Sequence, residues 1–306
     1  MFPLADRFSF MLSSDAAGPS LAAEIRRGSG FGFTSFAGHL GVATDPRVPP
    51  ALRETDARWS VGFASSPDPR TEEGFASKHT VGSVQDAGRE GALAALVDQI
   101  DAARAAGVRR VVVRPGAVPV DRGPVRHAEL EDRARSGEAP DADGVAALES
   151  HRREYAEATL DRTCRSLFAL CRRFPDVTFA LPPARTYYEV PRLDEIELIL
   201  SDVGATNLGY WHVPGTCRSL EAMGLDSQQS WLERNADRIV GLSFHDAHPG
   251  APVLVPGDGD VDLSMLAFYV PRSAEVTLDV RPEWGDAGVQ HAIQVMDTSG
   301  MLAASG

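Results

Sequence analysis

Residues 207–262 read NLGYWHVPGTCRSLEAMGLDSQQSWLERNADRIVGLSFHDAHPGAPVLVPGDGDVD. Two apolar runs in this stretch, 207–211 and 239–244, each end in a polar cluster. His212 closes the first, His245 and Asp246 close the second, and the Gly-rich acidic segment PGDGDVD follows at 256–262. The residues between the runs are mostly helical in pattern, so the unit is strand, helix, strand, with titratable groups at the strand ends. Barrels and doubly wound sheets put their chemistry at that position, because the loops leaving the carboxyl ends of the strands converge on one face.

The same alternation extends in both directions. Strands are expected at 7–13, 32–36, 59–65, 109–113 and 177–181 ahead of the quoted stretch, and at 275–280 after it. Helices are expected at 19–27, 49–56, 83–107, 144–174, 193–203, 219–236, 263–269 and 287–296. The helix at 83–107 is the clearest of the first half. Leu93, Leu96, Val97 and Ile100 form its apolar stripe, and Gly107 supplies its stop. In the helix at 144–174, Leu148, Tyr155, Leu160, Cys164, Leu167, Phe168 and Cys171 are read as the buried face. Strands such as RRVVV at 109–113 are apolar throughout, as strands covered on both faces must be. Eight strands in strict alternation with helices predict an α/β fold, a single (β/α)8 TIM barrel spanning 1–306; a doubly wound open sheet is the alternative. The charged, Pro- and Gly-rich residues 117–143 read as an insertion loop, and 301–306 as a loose tail.

Composition narrows the function. With 43% hydrophobic residues over 306 positions, the chain can bury a large core. A net charge of −13 argues against nucleic acid as a partner, since phosphate-backbone binding needs a basic footprint. The three cysteines, Cys164, Cys171 and Cys217, form no CxxC pair, so neither a disulfide framework nor a structural zinc site is expected. MFPLADRFSFML at the start lacks a basic region followed by a long apolar run, and no apolar span of membrane length occurs. The expectation is a cytoplasmic protein with no membrane partner. PGDGD is not followed by Lys-Ser/Thr opening a helix, so it is no P-loop, and its glycines are read as serving a tight turn.

Several segments resemble the xylose-isomerase-like TIM-barrel superfamily of sugar phosphate isomerases/epimerases and endonuclease IV relatives. They are ARAAGVRRVVVRPG at 103–116, GYWHVPGT at 209–216, GLSFHDAHP at 241–249 and PGDGDVD at 256–262. The similarity runs from about Arg89 to about Met296. It implies a barrel with a divalent metal, such as zinc or manganese, held at its carboxyl-end mouth by carboxylates and histidines. Carried over residue by residue, the metal-binding positions fall on Arg114, Pro182, Val213, Thr216, Ser243, Pro252, Val253 and Asp279. Only Asp279 keeps a metal-binding group of the same kind. Proline and valine have no side-chain donor, and arginine is a fixed cation. The expectation is therefore that the usual metal site is degenerate and that no cofactor is held.

The polar groups remaining near the mouth give the candidate site. His245, Asp246 and Asp279 are the candidate catalytic groups, since imidazole and carboxylate can exchange protons near neutrality. Arg114, Arg185, Tyr187, His212 and Arg281 are the candidate substrate-binding groups, and the three guanidiniums suit an anionic ligand. Arg114 would pair with Asp279 or Asp246, or clamp a substrate anion. His39, His79, His127, His151 and His291 are given no role. Two functions follow. One is a divergent isomerase/epimerase-type or lyase-type enzyme acting on a sugar-like small molecule. The other is a non-catalytic barrel that binds a ligand, or that assembles with identical copies or with an active relative.

Overall fold

The computed structural model describes residues 4–12, 21–43, 45–66, 68–75 and 77–302. Its strands are β1 (Phe8–Met11), β2 (Ser35–His39), β3 (Arg58–Phe63), β4 (Arg110–Val112), β5 (Gly116–Ala117), β6 (Thr178–Leu181), β7 (Glu189–Val190), β8 (Leu208–His212), β9 (Ile239–Phe244), β10 (Asp246–His248), β11 (Ala251–Leu254) and β12 (Glu275–Leu278). The helices are α1 (Leu21–Gly30), α2 (Leu40–Ala43), α3 (Val48–Glu54), α4 (Glu72–Phe75), α5 (Asp86–Ala105), α6 (Gly123–Arg135), α7 (Ala142–Arg173), α8 (Leu193–Val203), α9 (Pro214–Ala222), α10 (Gln228–Asn235), α11 (Leu263–Tyr269) and α12 (Gly285–Thr298).

Eight strands close a parallel barrel in the order β1-β12-β9-β8-β6-β4-β3-β2. Closure is explicit, because β1 pairs in parallel with both β2 and β12. The open doubly wound alternative is thereby excluded. Two short antiparallel strand pairs, β5 with β7 and β10 with β11, follow the ends of barrel strands and build its rim.

The inside of the barrel is packed, as side chains of alternating strand positions require. Ala37, Val61, Val112, Ala180 and Trp211 form its apolar centre. Trp211 fits because Gly241 stands beside it; a Cβ on Gly241 would lie 2.0 Å from the indole. The indole N–H donates to Ser243 Oγ at 3.0 Å, and Phe63 meets the ring edge-on. Toward the amino ends of the strands the interior turns polar. Ser9 Oγ and Thr277 Oγ1 are 2.8 Å apart, and buried Glu275 accepts from Ser60 Oγ at 2.8 Å and pairs with Arg110 at 3.1 Å. Burial raises the Glu275 pKa, while Arg110 opposes that rise. A second, larger core lies between barrel and helices.

The structure corrects several sequence expectations. Residues 117–143 are not one loop: α6 lies within them, β5 ends at Ala117 and α7 begins at Ala142. Pro124 opens α6 in its first turn, and His127, Leu130 and Ala134 turn one face inward. The helix expected at 219–236 is two helices, α9 starting at 214 and α10 starting at 228 after a Ser227 cap, with Gly224 at φ 83° in the break. The second strand lies at 35–39 rather than 32–36, because Gly32 at φ 93° turns the chain after α1. In α7, Tyr155 and Phe168 are exposed, and Arg152, Ala156, Thr159, Thr163 and Leu170 take the buried face with Leu148, Leu167 and the two cysteines. The expected strand end at 13, the helix start at 19–20 and most of the tail fall outside the described residues.

Candidate active site

A cavity of about 820 Å³ opens at the carboxyl ends of the barrel strands. Arg114, Pro182, Val213, Thr216, Ser243, Pro252, Val253 and Asp279 all line it. These eight positions lie on six different strand ends or rim segments, yet the fold brings them to one wall-to-wall space. Phe63, Val112 and Met11 add apolar surface, and His39, Arg70, His127, Glu131, Arg185, His245, Arg281 and Glu283 add polar groups.

Asp279 follows β12 directly and stands at the cavity with its side chain 13% exposed. Arg281 reaches its Oδ2 at 3.4 Å, and His245 Nδ1 lies 3.5 Å from the same oxygen. His245 is fully buried. Its Nε2 accepts from the Gly215 backbone N–H at 3.1 Å, which leaves the proton on Nδ1, facing Asp279. Burial lowers the His245 pKa, with Asp279 pulling the other way. Nε2 is engaged by Gly215, and buried Nδ1 has no hydrogen bond among the described residues but faces the Asp279 carboxylate at 3.5 Å, so His245 stands behind Asp279 as a positioning residue. Gly215 is obligatory: a Cβ there would sit 1.8 Å from the Pro252 carbonyl oxygen.

Asp246 stands apart from the cavity. Its Oδ1 accepts from Ala247 N at 2.8 Å and Val261 N at 3.0 Å, and its Oδ2 from Gly257 N at 2.8 Å. The carboxylate thus ties the 256–262 loop to β10. Its expected catalytic place gives way to this structural one, because three backbone donors occupy both oxygens. Asp258 is exposed on that loop and does not line the cavity.

His212 also leaves the mouth. Period-two alternation along β8 sends Trp211 into the barrel and His212 outward with Tyr210. Tyr210 Oη lies 2.8 Å from His212 Nδ1, and Gln228 Nε2 lies 3.4 Å from His212 Nε2. Tyr187 is likewise buried behind the wall, under the Arg192 guanidinium at 4.2 Å and edge-on to Tyr188. Burial pushes its hydroxyl up to about 12. Neither residue lines the cavity, so the structure does not bring them to the other candidate site residues.

The opposite wall is cationic. Arg114 donates to the Pro183 carbonyl at 2.9 Å and has its nearest carboxylate, Glu189, at 3.8 Å rather than the expected Asp279 or Asp246. Glu189 is buried and is claimed first by Arg185, through the backbone N–H at 2.6 Å and the guanidinium at 2.6 and 3.1 Å. Desolvation lowers the Arg114 pKa to about 10, which leaves it charged at neutral pH. Arg70 stands close by, paired with Asp68.

His39 and His127, which have no expected role, line the cavity, as does Glu131 from the segment expected to be a loop. His127 and Glu131 both line the cavity from α6, four residues apart, each three residues before an inward-facing residue, Leu130 or Ala134. Their signal was the helical spacing of 127, 130, 131 and 134. Burial pushes His127 down to about 4 and His212 down to about 3, with Arg70 adding to the first effect. Both imidazoles are therefore neutral in the folded protein. Their contribution is present in full above the ordinary value of 6.5 and is lost as pH falls toward 4 and then 3, where the unfolded chain binds the protons first. Urea unfolding followed from pH 7.5 to 4 should show that loss, and His127→Gln with His212→Gln should flatten it; an unchanged slope would exclude these residues as the source.

Among the described residues, no group of three or more His, Cys, Asp or Glu side chains is placed to hold a metal ion. No helix among them is long and apolar enough to cross a membrane.

Compared by sequence, the chain matches no protein-family model and no curated protein. Compared by structure, it resembles several solved barrels. A 3-keto-D-glucoside 4-epimerase from E. coli superposes with a TM-score of 0.62 at 15% identity, over 95% of this chain and 99% of that one. A D-psicose 3-epimerase from Clostridium cellulolyticum gives 0.63 at 10% identity, over 98% of each chain. An AP endonuclease, family 2, from Brucella melitensis gives 0.63 at 13% identity, over 93% and 96%. In fold, then, the chain is a (β/α)8 barrel similar to these epimerases and this endonuclease.

Proposed function

We propose that this protein is a sugar isomerase/epimerase-like barrel that binds a carbohydrate-like, anionic small molecule without a resident divalent ion. The observation that carries the reading is the convergence of eight positions in one cavity, seven of which hold Arg114, Pro182, Val213, Thr216, Ser243, Pro252 and Val253. Two prolines, two valines and a guanidinium cannot coordinate a cation, and hard divalent ions demand several oxygen donors, carboxylates first. One carboxylate, Asp279, with two hydroxyls does not fit the ion that the fold would imply. Arg114 supplies positive charge in the mouth, and the epimerase likeness of the solved barrels supports a polyhydroxylated ligand.

Asp279 is the cavity carboxylate that closes a barrel strand, with the His245 imidazole behind it, and it is the group proposed to exchange a proton with a ligand if turnover occurs. The full burial of His245, with Nε2 held by the Gly215 backbone, favours a second reading, in which the barrel binds its ligand without transforming it, alone or beside an active relative. Elemental analysis of the purified protein should find zinc, manganese and magnesium far below one equivalent. Thermal-shift screening in a chelator should then find stabilisation by polyhydroxylated acids. A stoichiometric ion, removed by chelation and bound through Asp279, would overturn the proposal. Turnover that survives Asp279→Asn would remove that carboxylate from any mechanism.

A further inference from the structure

The two poles of the cavity lie on opposite sides of the barrel. Arg114 follows β4 and Asp279 follows β12, and these strands are four places apart in either direction around the ring of eight. With strands about 4.8 Å apart and tilted by about 40°, an eight-stranded barrel is on the order of 15 Å across between backbones. After the arginine and aspartate side chains reach inward, a gap on the order of 7 Å remains, the length of a five- or six-carbon chain. The walls between the poles are apolar: Phe63, Val112, Pro182, Val213 and Val253.

Arg114 is the less compensated pole. Its side chain is 18% exposed, and it donates to a backbone carbonyl, that of Pro183, at 2.9 Å. Its nearest carboxylate is held at hydrogen-bonding distance by Arg185 instead. A mostly buried guanidinium in that state suits one carboxylate, which it can take bidentately. Asp279, at the other end, is a hydrogen-bond acceptor and repels a second anion.

We infer, on the strength of the proposed binding function, that the ligand is a polyhydroxylated carboxylic acid lying lengthwise across the barrel, its carboxylate at Arg114 and its far hydroxyls at Asp279. The site therefore discriminates by length and by charge at one end.

A chain-length series tests this by calorimetry in a chelator: glycerate, threonate and gluconate, with glycerol, threitol and sorbitol as matched neutral polyols. The acids should bind at least tenfold more tightly than their polyols, and affinity should rise to gluconate. Arg114→Gln should weaken every acid at least tenfold. Asp279→Asn should change gluconate binding at least fivefold and leave glycerate unchanged, because the short acid does not reach that wall. The wild-type series stands by itself should Arg114→Gln fail to fold. Sorbitol binding as tightly as gluconate would overturn the inference and leave the carbohydrate-binding reading intact. An equal effect of Asp279→Asn on glycerate and gluconate would overturn the lengthwise orientation. Sorbitol 6-phosphate binding more tightly than gluconate would overturn the choice of a carboxylate. Absence of binding by every acid and polyol would overturn both the inference and the reading beneath it.

Discussion

Glu189→Ala should destabilise the protein by about 3–5 kcal/mol, because it removes one member of a buried ion network and leaves cations behind. Glu189 is 2% exposed and sits in the short antiparallel β5–β7 pair. Its carboxylate accepts from the Arg185 backbone and guanidinium and lies 3.8 Å from Arg114. Behind it, Arg152 donates to the Glu189 carbonyl at 3.0 Å and pairs with buried Glu195. Removing the carboxylate strands two guanidiniums that cannot shed their charge near neutral pH. Glu189→Gln keeps an acceptor oxygen and the shape, so its loss should be smaller. Urea unfolding of both variants measures the difference. A loss under about 1 kcal/mol for the alanine variant would mean that water already compensates Arg114 and Arg185, as at an exposed pair.

The second large effect is expected at Asp246. Asp246→Ala leaves the Ala247, Gly257 and Val261 N–H groups without their acceptor. Each buried donor so orphaned costs about 1–3 kcal/mol, so a total of about 3 kcal/mol or more is expected. The effect should be local. The 256–262 loop passes so close to Asp246 that a Cβ on Gly259 would lie 2.2 Å from its Oδ1. Amide exchange should therefore accelerate in that loop and in β10 before the rest of the barrel, and Asp246→Asn should keep part of the protection. Uniform acceleration across the barrel would show that the carboxylate is not specific to the loop. Ligand affinity should fall in Asp246→Asn only in proportion to loop loosening, since the carboxylate does not line the cavity.

These two residues show what a linear reading can and cannot do. Asp246 was legible as a polar group at a strand end, and strand-end position is a property of the chain itself. Whether its oxygens face the cavity or a loop depends on where residues 257 and 261 return, eleven and fifteen positions later. Glu189 carried no signal. It sits in a two-residue strand beside two tyrosines, and its role exists only because β5 and β7 pair across more than seventy residues. His212 and Tyr187 were assigned to the mouth because they adjoin strand ends, but an outward strand position and a buried turn direct them into the layer outside the barrel.

The alternation of apolar strands with amphipathic helices determined the barrel, since each strand must be covered and each helix must cover one. The resemblance of its strand-end segments to the xylose-isomerase-like barrels implied that Arg114, Pro182, Val213, Thr216, Ser243, Pro252, Val253 and Asp279 would meet at the mouth, and all eight line the cavity. Only the tertiary structure decided how charges are shared there: Arg114 turns to Pro183 and Glu189, His245 is held by Gly215 against Asp279, and α6 brings His127 and Glu131 over the opening. The reason is range. Strand and helix periodicities are set within a few residues of one another, whereas the partner of a buried charge is whatever group the closed ring places within about 3 Å of it.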